Sequence, residues 1–212
     1  MKLEKINHPA KYTDVLLPIF TEMLIGCKTV LDPFAGTGKI HLLPFETTGL
    51  EIEKEWADMH DKTILGDATK MPFKDYYFDA VCTSPTYGNR MADSHLAKDN
   101  SVRNTYTHKL GRVLNDNNSG KMQWGEDYKE LHLKAWKECF RVIKNDGIFI
   151  LNFKNHIRKG KEIDVFSWHV LQLIKIGFHI QKIKQVNTKG NGFGKNANLR
   201  TGFEFVAMFI KR

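Results

Sequence analysis

The chain has 212 residues and carries 32 Lys and Arg against 24 Asp and Glu, which gives a net charge of +8. This length suits one domain, or one domain with a large insertion. The apolar fraction of 42% excludes a disordered chain. The basic surplus favours an anionic partner, most often nucleic acid, although it also simply promotes solubility.

Cysteine and histidine spacing excludes several classes of protein. Cys27, Cys82 and Cys139 lie far apart with no CxxC pair, so neither a disulfide framework nor a zinc site is predicted, and we expect reduced, buried thiols. The histidines show no HxxxH or HxH arrangement with acid partners, so we assign no metal. No apolar run reaches about 18 residues and no signal peptide is visible, which predicts a soluble, cytoplasmic protein without membrane contact.

The first part of the chain alternates short apolar runs with helical stretches. In chain order, the predicted elements are a helix over 13–25 with a kink or late start at Pro18, a buried strand leading into a glycine turn over 28–39, a strand over 47–53, a helix over 54–60, and strands over 62–68 and 76–85. A polar segment follows at about 89–124, where no hydrophobic period is visible.

The pattern of strands and helices resumes after the polar segment. The predicted elements are a helix over 126–143 ended by a turn at Asn145-Asp146-Gly147, a strand over 147–153, a helix over 164–177 closed by Gly177, a strand over 178–186, a basic loop over 187–200 and a last strand over 202–212. This order predicts one α/β domain over residues 1–212, with the polar segment as an insertion. Its Rossmann-like sheet has seven mostly parallel strands, helices on both faces and an antiparallel edge strand.

Two glycines follow the first predicted strand, in the stretch DPFAGTGK. Gly36 and Gly38 would let the backbone approach a ligand and turn sharply into a helix. The spacing differs from a phosphate loop, because Ile40 and not Ser or Thr follows Lys39. By itself, a tight strand-to-helix turn explains the glycines equally well.

Acids end the next two predicted strands. Glu51 closes the second strand and Asp67 the third, and the carboxyl ends of parallel strands meet at the edge where open α/β sheets bind ligands. An acid in the first position can meet ribose hydroxyls, and an acid in the second can accept from the exocyclic amine of adenine. The alternative is that both acids only cap helices.

Together these segments resemble the class I S-adenosylmethionine-dependent methyltransferases, and more narrowly the DNA amino-methyltransferases that modify cytosine N4 or adenine N6. The cofactor motif of that family is similar to DPFAGTG at residues 32–38, its ribose acid to Glu51 and its adenine-side acid to Asp67. Its amino-terminal cofactor segment is similar to residues 8–17, and its catalytic tetrad [DNS]PP[YFW] resembles Ser84-Pro85-Thr86-Tyr87.

The resemblance implies a cofactor and a set of site residues. The implied cofactor is S-adenosyl-L-methionine, and the residues implied to bind it are Tyr12, Thr13, Asp32, Phe34, Gly36, Gly38, Glu51, Asp67, Ala68 and Ser84. Serine at the head of the tetrad resembles the cytosine-N4 members more than the adenine-N6 members. The chain departs from the family at Thr86, which replaces the second proline and loosens the loop, and in lacking a separate target-recognition domain.

The implied catalytic residues are Ser84, Pro85 and Tyr87. An exocyclic amine is itself the nucleophile, so Ser84 Oγ and the Pro85 carbonyl can accept its N–H groups and aim its lone pair, and positioning supplies most of the rate. Tyr87 can stack on the extruded base, a contact of roughly 1–3 kcal/mol. Cys82 is not expected to act as in cytosine-C5 methyltransferases, because no Pro-Cys pair is present.

Basic residues in the two polar segments are the candidate DNA contacts. They are Arg90, Arg103, Arg112, Lys121, Lys195 and Arg200. We expect them to contact phosphates of single-stranded DNA or of a duplex with a flipped base, although a solvated linker has the same composition. The alternative functions are an RNA base amino-methyltransferase, a protein glutamine amide methyltransferase and a non-catalytic module that binds the cofactor or DNA.

Overall fold

The computed structural model describes residues 13–89, 105–188, 199 and 202–212. Within these residues the strands are β1 (Thr29–Asp32), β2 (Glu46–Glu51), β3 (Thr63–Leu65), β4 (Phe78–Thr83), β5 (Ile143–Phe153), β6 (His156–Arg158), β7 (Lys161–Ile163), β8 (Phe178–Asn187) and β9 (Phe203–Lys211). The α-helices are α1 (Leu17–Met23), α2 (Lys54–Ala57), α3 (Tyr106–Leu110), α4 (Glu126–Val142) and α5 (Val165–Ile176). Short 3-10 helices cover Asp14–Leu16, Lys39–Leu42 and Ser119–Lys121.

Seven strands form one sheet in the order β3-β2-β1-β4-β5-β9-β8. The first five in this order pair in parallel, whereas β9 is antiparallel to both β5 and the edge strand β8. The predicted α/β fold, with a mostly parallel seven-stranded sheet and antiparallel pairing at one edge, is confirmed. Strand order reverses between β1 and β4, and such a reversal opens the crevice where α/β sheets bind ligands.

Both faces of the sheet are buried under helices, as the near-continuous apolar strands predict. Val30 in β1 packs in a cluster with α1, whereas the next residue, Leu31, packs in a cluster with α4 and α5. Ala80 and Val81 in β4 divide between the same two clusters. Successive residues of a strand point to opposite faces, so each buried strand contributes side chains to both halves of the core.

The ends of α1 and α5 follow from their sequences. Pro18 lies in the first turn of α1, which confirms the predicted late start. The side chain of Asp164 accepts a hydrogen bond from the Ser167 amide at the start of α5, over 3.1 Å. Gly177, with φ of 121°, ends α5 as predicted. No helix in the described part of the chain is both long and apolar enough to cross a membrane.

The predicted turn at residues 145–147 is wrong. Helix α4 ends at Val142, and β5 begins at the next residue without an intervening loop. The Asn-Asp-Gly stretch lies inside β5, where Asp146 has φ of 59° and the pairing with β4 shifts register. Gly147 passes so close to β4 that an added Cβ would lie 2.8 Å from the carbonyl oxygen of Asp79. The glycine therefore serves this close approach of two strands.

The described part of the polar segment, residues 105–124, packs against α2, at the carboxyl ends of the parallel strands. Tyr106 and Leu114 form a small buried cluster with Trp56 of α2, and the rings of Tyr106 and Trp56 meet edge to face with centroids 5.1 Å apart. Asn118 and Ser119 are buried as well. A solvated linker would bury none of these side chains, so this half of the segment is part of the folded structure.

Candidate active site

A cavity of about 280 Å³ opens at the carboxyl ends of the parallel strands. The predicted site residues that line it are Phe34, Gly36, Glu51, Asp67, Ala68, Ser84, Pro85 and Tyr87. They follow β1, β2, β3 and β4, so the loops after four neighbouring strands meet at one place. The polar segment and β9 complete the wall with residues that sequence reasoning did not select.

Several predicted site residues are not part of this wall. Thr13, Asp32 and Gly38 are described but do not line the cavity, so their contacts to a cofactor stay predictions. Others lie outside the described residues: Tyr12, Arg90, Arg103, Lys195 and Arg200.

Asp32 supports the cavity from below. Its side chain is fully buried, and Oδ1 accepts hydrogen bonds from the Phe34 amide over 3.0 Å and from the Thr83 hydroxyl over 2.6 Å. Burial raises its pKa to about 6. These bonds join the loop after β1 to the end of β4, and they thereby tie the glycine turn to the strand that carries Ser84.

Glu51 is held by backbone amides at the end of β2. Its Oε2 accepts from the Gly36 amide over 2.8 Å and its Oε1 from the Glu53 amide over 2.9 Å. Gly36 has φ of 54°, in the left-handed region, which aims its amide at the carboxylate. Because the side chain is only 7% exposed, burial raises the pKa of Glu51 to about 7. The carboxyl group is thus fixed in place and titrates close to neutral pH.

Asp67 connects β3 to the polar segment. Its Oδ1 accepts from the amide and the hydroxyl of Thr69, over 2.7 and 2.8 Å, which is the geometry of an Asx turn. Its Oδ2 accepts from Asn117 Nδ2 over 2.7 Å. Asn117 also lines the cavity. The polar segment therefore reaches the group that was predicted to meet adenine.

A second buried acid, Glu53, anchors the polar segment. Its Oε1 accepts from the Asn115 amide and from Asn118 Nδ2, each over 2.8 Å, and its Oε2 lies 2.7 Å from Arg112 Nη2. Arg112 also pairs with Glu55. Sequence reasoning missed Glu53, although its position two residues after Glu51 in EIE was a usable signal.

The two described basic residues that were predicted to contact DNA have acidic partners. Arg112 is held by the two glutamates just described. Lys121 Nζ lies 2.7 Å from Asp116 Oδ1, and that aspartate is fully exposed. Because solvent screens exposed pairs of this kind, they contribute little to stability, and Lys121 can exchange its partner for a phosphate at little cost. Contact of either residue with DNA stays a prediction.

Hydrogen bonds hold the loop that contains the tetrad. Tyr128 in α4 donates its hydroxyl to the Thr86 carbonyl over 2.6 Å, and the Thr86 hydroxyl donates to Ser119 Oγ over 2.7 Å. The sequence predicted that threonine at this position would loosen the loop. The described contacts instead attach Thr86 to a core helix and to the polar segment, and so compensate for the missing proline ring.

Two residues that sequence reasoning missed contact the tetrad. Asn152 of β5 donates Nδ2 to Ser84 Oγ over 3.0 Å and to Glu204 Oε2 over 2.7 Å, and Glu204 of β9 lines the cavity. Asn152 is fully buried and Glu204 is 7% exposed. The signal was a single polar residue inside each of two apolar strands, GIFILNF and FEFVAMF. A buried polar side chain needs a partner, and here the partner is the site.

Tyr87 and Cys82 are the last two residues that the sequence analysis singled out near the tetrad. Tyr87 is half-buried, packs against Phe153 with ring centroids 5.2 Å apart, and lies with its hydroxyl 3.2 Å from Ser84 Oγ. Cys82 is fully buried inside β4, and burial raises the pKa of its thiol. The prediction that Cys82 is a core thiol is confirmed.

The cavity fits S-adenosyl-L-methionine by the chemistry of its lining. Glu51 and Asp67 offer carboxylate oxygens that can accept hydrogen bonds of the kind that ribose hydroxyls and an adenine amine donate, and Phe34 and Ala68 offer apolar surface of the kind that a flat ring contacts. When bound, the cofactor supplies a methyl group on a positively charged sulfur. This sheet and this cavity are typical of the S-adenosylmethionine-dependent methyltransferases.

Comparison with known protein families supports a methyltransferase and indicates one family within that class. The family described as DNA methylase, N6_N4_Mtase, matches residues 78–212, from β4 to the last residue. The chain belongs to this family. None of the curated proteins compared with the chain matches it.

Solved structures share the fold at low sequence identity. The PH0226 protein from Pyrococcus horikoshii OT3 is 16% identical, with a TM-score of 0.59 over 94% of this chain and 89% of the other. A SAM-dependent methyltransferase from Archaeoglobus fulgidus is 13% identical, with a TM-score of 0.57 over 93% and 92%. The [4+2]-cyclase SpnF is 15% identical, with a TM-score of 0.58 over 97% and 85%. At these identities the likeness concerns the fold, and a cyclase among the neighbours illustrates that fold does not determine chemistry.

Proposed function

We propose that the protein transfers a methyl group to an exocyclic amino group of a base in DNA, with cytosine N4 favoured and adenine N6 as the other target. Membership of the DNA methylase family supports the substrate class. The net charge of +8 supports an anionic polymer as partner. Serine at the head of the tetrad supports cytosine N4, by resemblance to the members that carry serine there.

One observation carries the proposal: the tetrad and the cofactor-side acids line the same cavity. Ser84 and Tyr87 share it with Glu51 and Asp67. An amine nitrogen that bonds to Ser84 Oγ would therefore lie in the space that also takes the cofactor. Methylation of an amine needs this proximity and a directed lone pair more than it needs a covalent nucleophile.

Three of the four tetrad residues have a defined part in the proposed reaction. Ser84 Oγ and the Pro85 carbonyl accept the N–H groups of the amine, so that its lone pair turns toward the methyl group. The Tyr87 ring stacks on the base, which contributes roughly 1–3 kcal/mol to its binding. In a duplex the base must first leave the helix, because its amine is otherwise engaged in pairing.

Expression in a host without DNA methylation tests the proposal. Single-molecule sequencing of the host DNA should reveal N4-methylcytosine, or else N6-methyladenine, in a fixed sequence context. Ser84→Ala is the matched control and should leave the DNA unmodified. Unmodified DNA from wild-type cells, with methyl label recovered in RNA or in protein amides instead, would refute the DNA proposal in favour of one of those substrates.

A further inference from the structure

Four polar side chains form one hydrogen-bonded group beside the cavity. Asn152 Nδ2 lies 3.0 Å from Ser84 Oγ and 2.7 Å from Glu204 Oε2, and Tyr87 Oη lies 3.2 Å from Ser84 Oγ. Asn152 Nδ2 also lies 3.4 Å from Tyr87 Oη. Burial and the negative charge of the Glu204 carboxylate both raise the pKa of Tyr87. Ser84, Tyr87 and Glu204 line the cavity, so the group borders the space proposed for the target base.

The carboxylate determines which atoms in this group donate. A carboxylate only accepts, so the amide nitrogen of Asn152 donates to Glu204, and the same negative charge attracts the hydrogen of the Tyr87 hydroxyl. The opposite orientation of the Asn152 amide would place its carbonyl oxygen against the carboxylate. The observed orientation leaves Asn152 Oδ1 without a hydrogen-bond partner in the described part of the chain, a cost that the two bonds of Nδ2 offset.

The same reasoning fixes the direction of the Ser84 hydroxyl. With the Tyr87 hydrogen turned toward the charge of Glu204, the Tyr87 oxygen can accept, and Ser84 then donates its own hydrogen to it. Ser84 Oγ receives one hydrogen bond from Asn152 and keeps a second lone pair. This lone pair is what Ser84 can offer to a substrate N–H.

We propose that Glu204 is a positioning residue of the active site: acting through Tyr87 and Asn152, it makes Ser84 a hydrogen-bond acceptor for the target amine. Its negative charge also stabilises the positive charge that develops on the amine nitrogen during methyl transfer. The inference rests on the proposed function only in that the substrate is an amine. In this proposal β9 supplies the site with a negative charge, which the tetrad after β4 does not contain.

The burial of Glu204 makes its charge effective. Ser84 is uncharged, and the one carboxylate in this group of four side chains is that of Glu204, which is 7% exposed. In such a poorly solvated site a fixed charge interacts more strongly with a developing charge than it would in water. A purely structural role would be served as well by apolar residues, since a buried polar pair often stabilises a fold no more than a packed apolar pair does.

Glu204→Gln is the decisive substitution, because it keeps the size of the side chain, removes the charge and allows residue 204 to donate. Tyr87 can then turn its hydrogen to Ser84 Oγ and occupy the free lone pair. We expect the turnover rate at saturating cofactor and substrate to fall by about 10- to 100-fold, in the lower range for losing one preorganised group in an active site. The affinity for S-adenosylhomocysteine should stay within about twofold of wild type, since that part of the cavity is unchanged.

Combination with Tyr87→Phe tests the route of the effect. This variant keeps the ring and removes only the hydroxyl, so Glu204 can no longer act through it. If the proposal holds, the loss of turnover in Tyr87→Phe/Glu204→Gln should be smaller than the product of the two single losses, because part of the effect of Glu204 passes through the Tyr87 hydroxyl. Losses that multiply, or wild-type turnover in Glu204→Gln, would overturn it.

A binding measurement supplies a readout that is independent of turnover. Wild-type protein should bind an oligonucleotide with the target base more tightly than one in which that base lacks its amino group, and Glu204→Gln should lose this preference. An equal preference in both proteins would contradict the proposal. Glu126→Gln, the same change at a site 89% exposed at the start of α4, is the matched control and should behave as wild type. Thermal unfolding of each variant identifies misfolding, and Glu204→Asp, which restores the charge, should recover part of the turnover.

The two proposals fail in different ways. If wild-type protein labels no DNA but labels another amine, the DNA substrate is wrong, and the Glu204 comparison is made on that amine instead. If wild-type protein labels DNA and Glu204→Gln is equally fast, the DNA substrate stands and the role of Glu204 is refuted.

Discussion

The two halves of the cavity are built in different ways. On the cofactor side, Glu51 and Asp67 accept from backbone amides, and most of their partners lie within 15 positions along the chain. On the substrate side, Ser84 is held by Asn152, 68 positions away, which in turn holds Glu204, 52 positions further along. The first half uses the backbone of neighbouring loops, whereas the second uses side chains from separate strands.

This difference separates binding from turnover. Backbone amides occupy fixed positions once a loop has folded, so the acids of the first half are set up to hold a ligand. The side-chain group of the second half has donors and acceptors that can reverse when one member changes. We therefore expect substitutions in the first half to act on cofactor affinity and substitutions in the second half to act on turnover.

The largest effect is expected at Ser84. Ser84→Ala removes the acceptor proposed for the amine and should lower turnover by about 100- to 1000-fold, as loss of a preorganised active-site group typically does. Cofactor affinity should be nearly unchanged, because Glu51 and Asp67 keep their backbone partners. Steady-state kinetics together with calorimetry measure both quantities. Near-wild-type turnover of this variant on saturating substrate would show that the substrate side of the cavity does not control turnover.

Glu51 should show the opposite behaviour. Glu51→Gln replaces one carboxylate oxygen by an amide nitrogen, which cannot accept from the Gly36 or Glu53 amide and leaves one of these donors unpaired. Such a loss amounts to about 1–3 kcal/mol, which corresponds to roughly a 5- to 150-fold weaker affinity for S-adenosylhomocysteine. Turnover at saturating cofactor should change little. A fall in turnover without a change in affinity would show that the two halves are not separate.

The raised pKa of Glu51 predicts a pH dependence that sharpens the same point. Burial raises this pKa from 4.5 to about 7, and Glu53 and Tyr106 are ionisable groups near the carboxyl group. Only the ionised form accepts from both ribose hydroxyls, so affinity should rise as pH increases through about 7. The free energy of unfolding should fall as the pH rises from about 4.5 to about 7, because the folded state holds the proton of Glu51 more tightly than the unfolded state does.

Calorimetric titrations between pH 5.5 and 8.5 measure this dependence, with Glu51→Gln as the reference. The variant should show a flat response over the same range. A wild-type affinity that is equally flat would mean that Glu51 does not bind through its ionised form.

A smaller effect is expected at Asn117, where the polar segment meets the cofactor side. Asn117→Ala removes the hydrogen bond to Asp67 Oδ2, and this net contribution of about 1 kcal/mol corresponds to roughly fivefold in cofactor affinity. Asp116→Ala, at an adjacent and exposed side chain, serves as the control. If both variants bind S-adenosylhomocysteine as tightly as wild type, the segment does not contribute to the cofactor site.

The smallest effect is expected at the basic residues of the same segment. If Lys121 contacts a phosphate, Lys121→Ala should reduce the slope of log affinity against log salt by about 0.9 for duplex DNA. Arg112→Ala tests the corresponding prediction for a residue whose guanidinium is already paired with Glu53 and Glu55. A slope unchanged by Arg112→Ala, together with a lower melting temperature, would assign that residue to anchoring the segment. Lys134→Ala, on the exposed side of α4, is the matched control for loss of charge.

The parts of the site that could be predicted from the sequence depend on short-range order. A glycine turn after one strand, an acid at the end of the next and an acid after the third are readable because all three follow from strand order alone. Asn152 and Glu204 were not readable in this way, because their partners lie on strands that become neighbours only in the folded sheet. The turn predicted at residues 145–147 failed for a related reason, since the approach of β4 and not the end of α4 requires Gly147.

The sequence by itself determined the class of fold, the succession of strands and helices along the chain and the position of the cofactor-side acids, because apolar periodicity and turn residues act over a few positions. Only the tertiary structure decided that residues 105–124 contribute to the cavity wall, that Arg112 is paired with acids, and that Glu204 is linked to Ser84 through Asn152. These features depend on which buried polar groups form hydrogen bonds with one another. That choice is made by packing across the sheet, where each buried donor and acceptor must be satisfied at once.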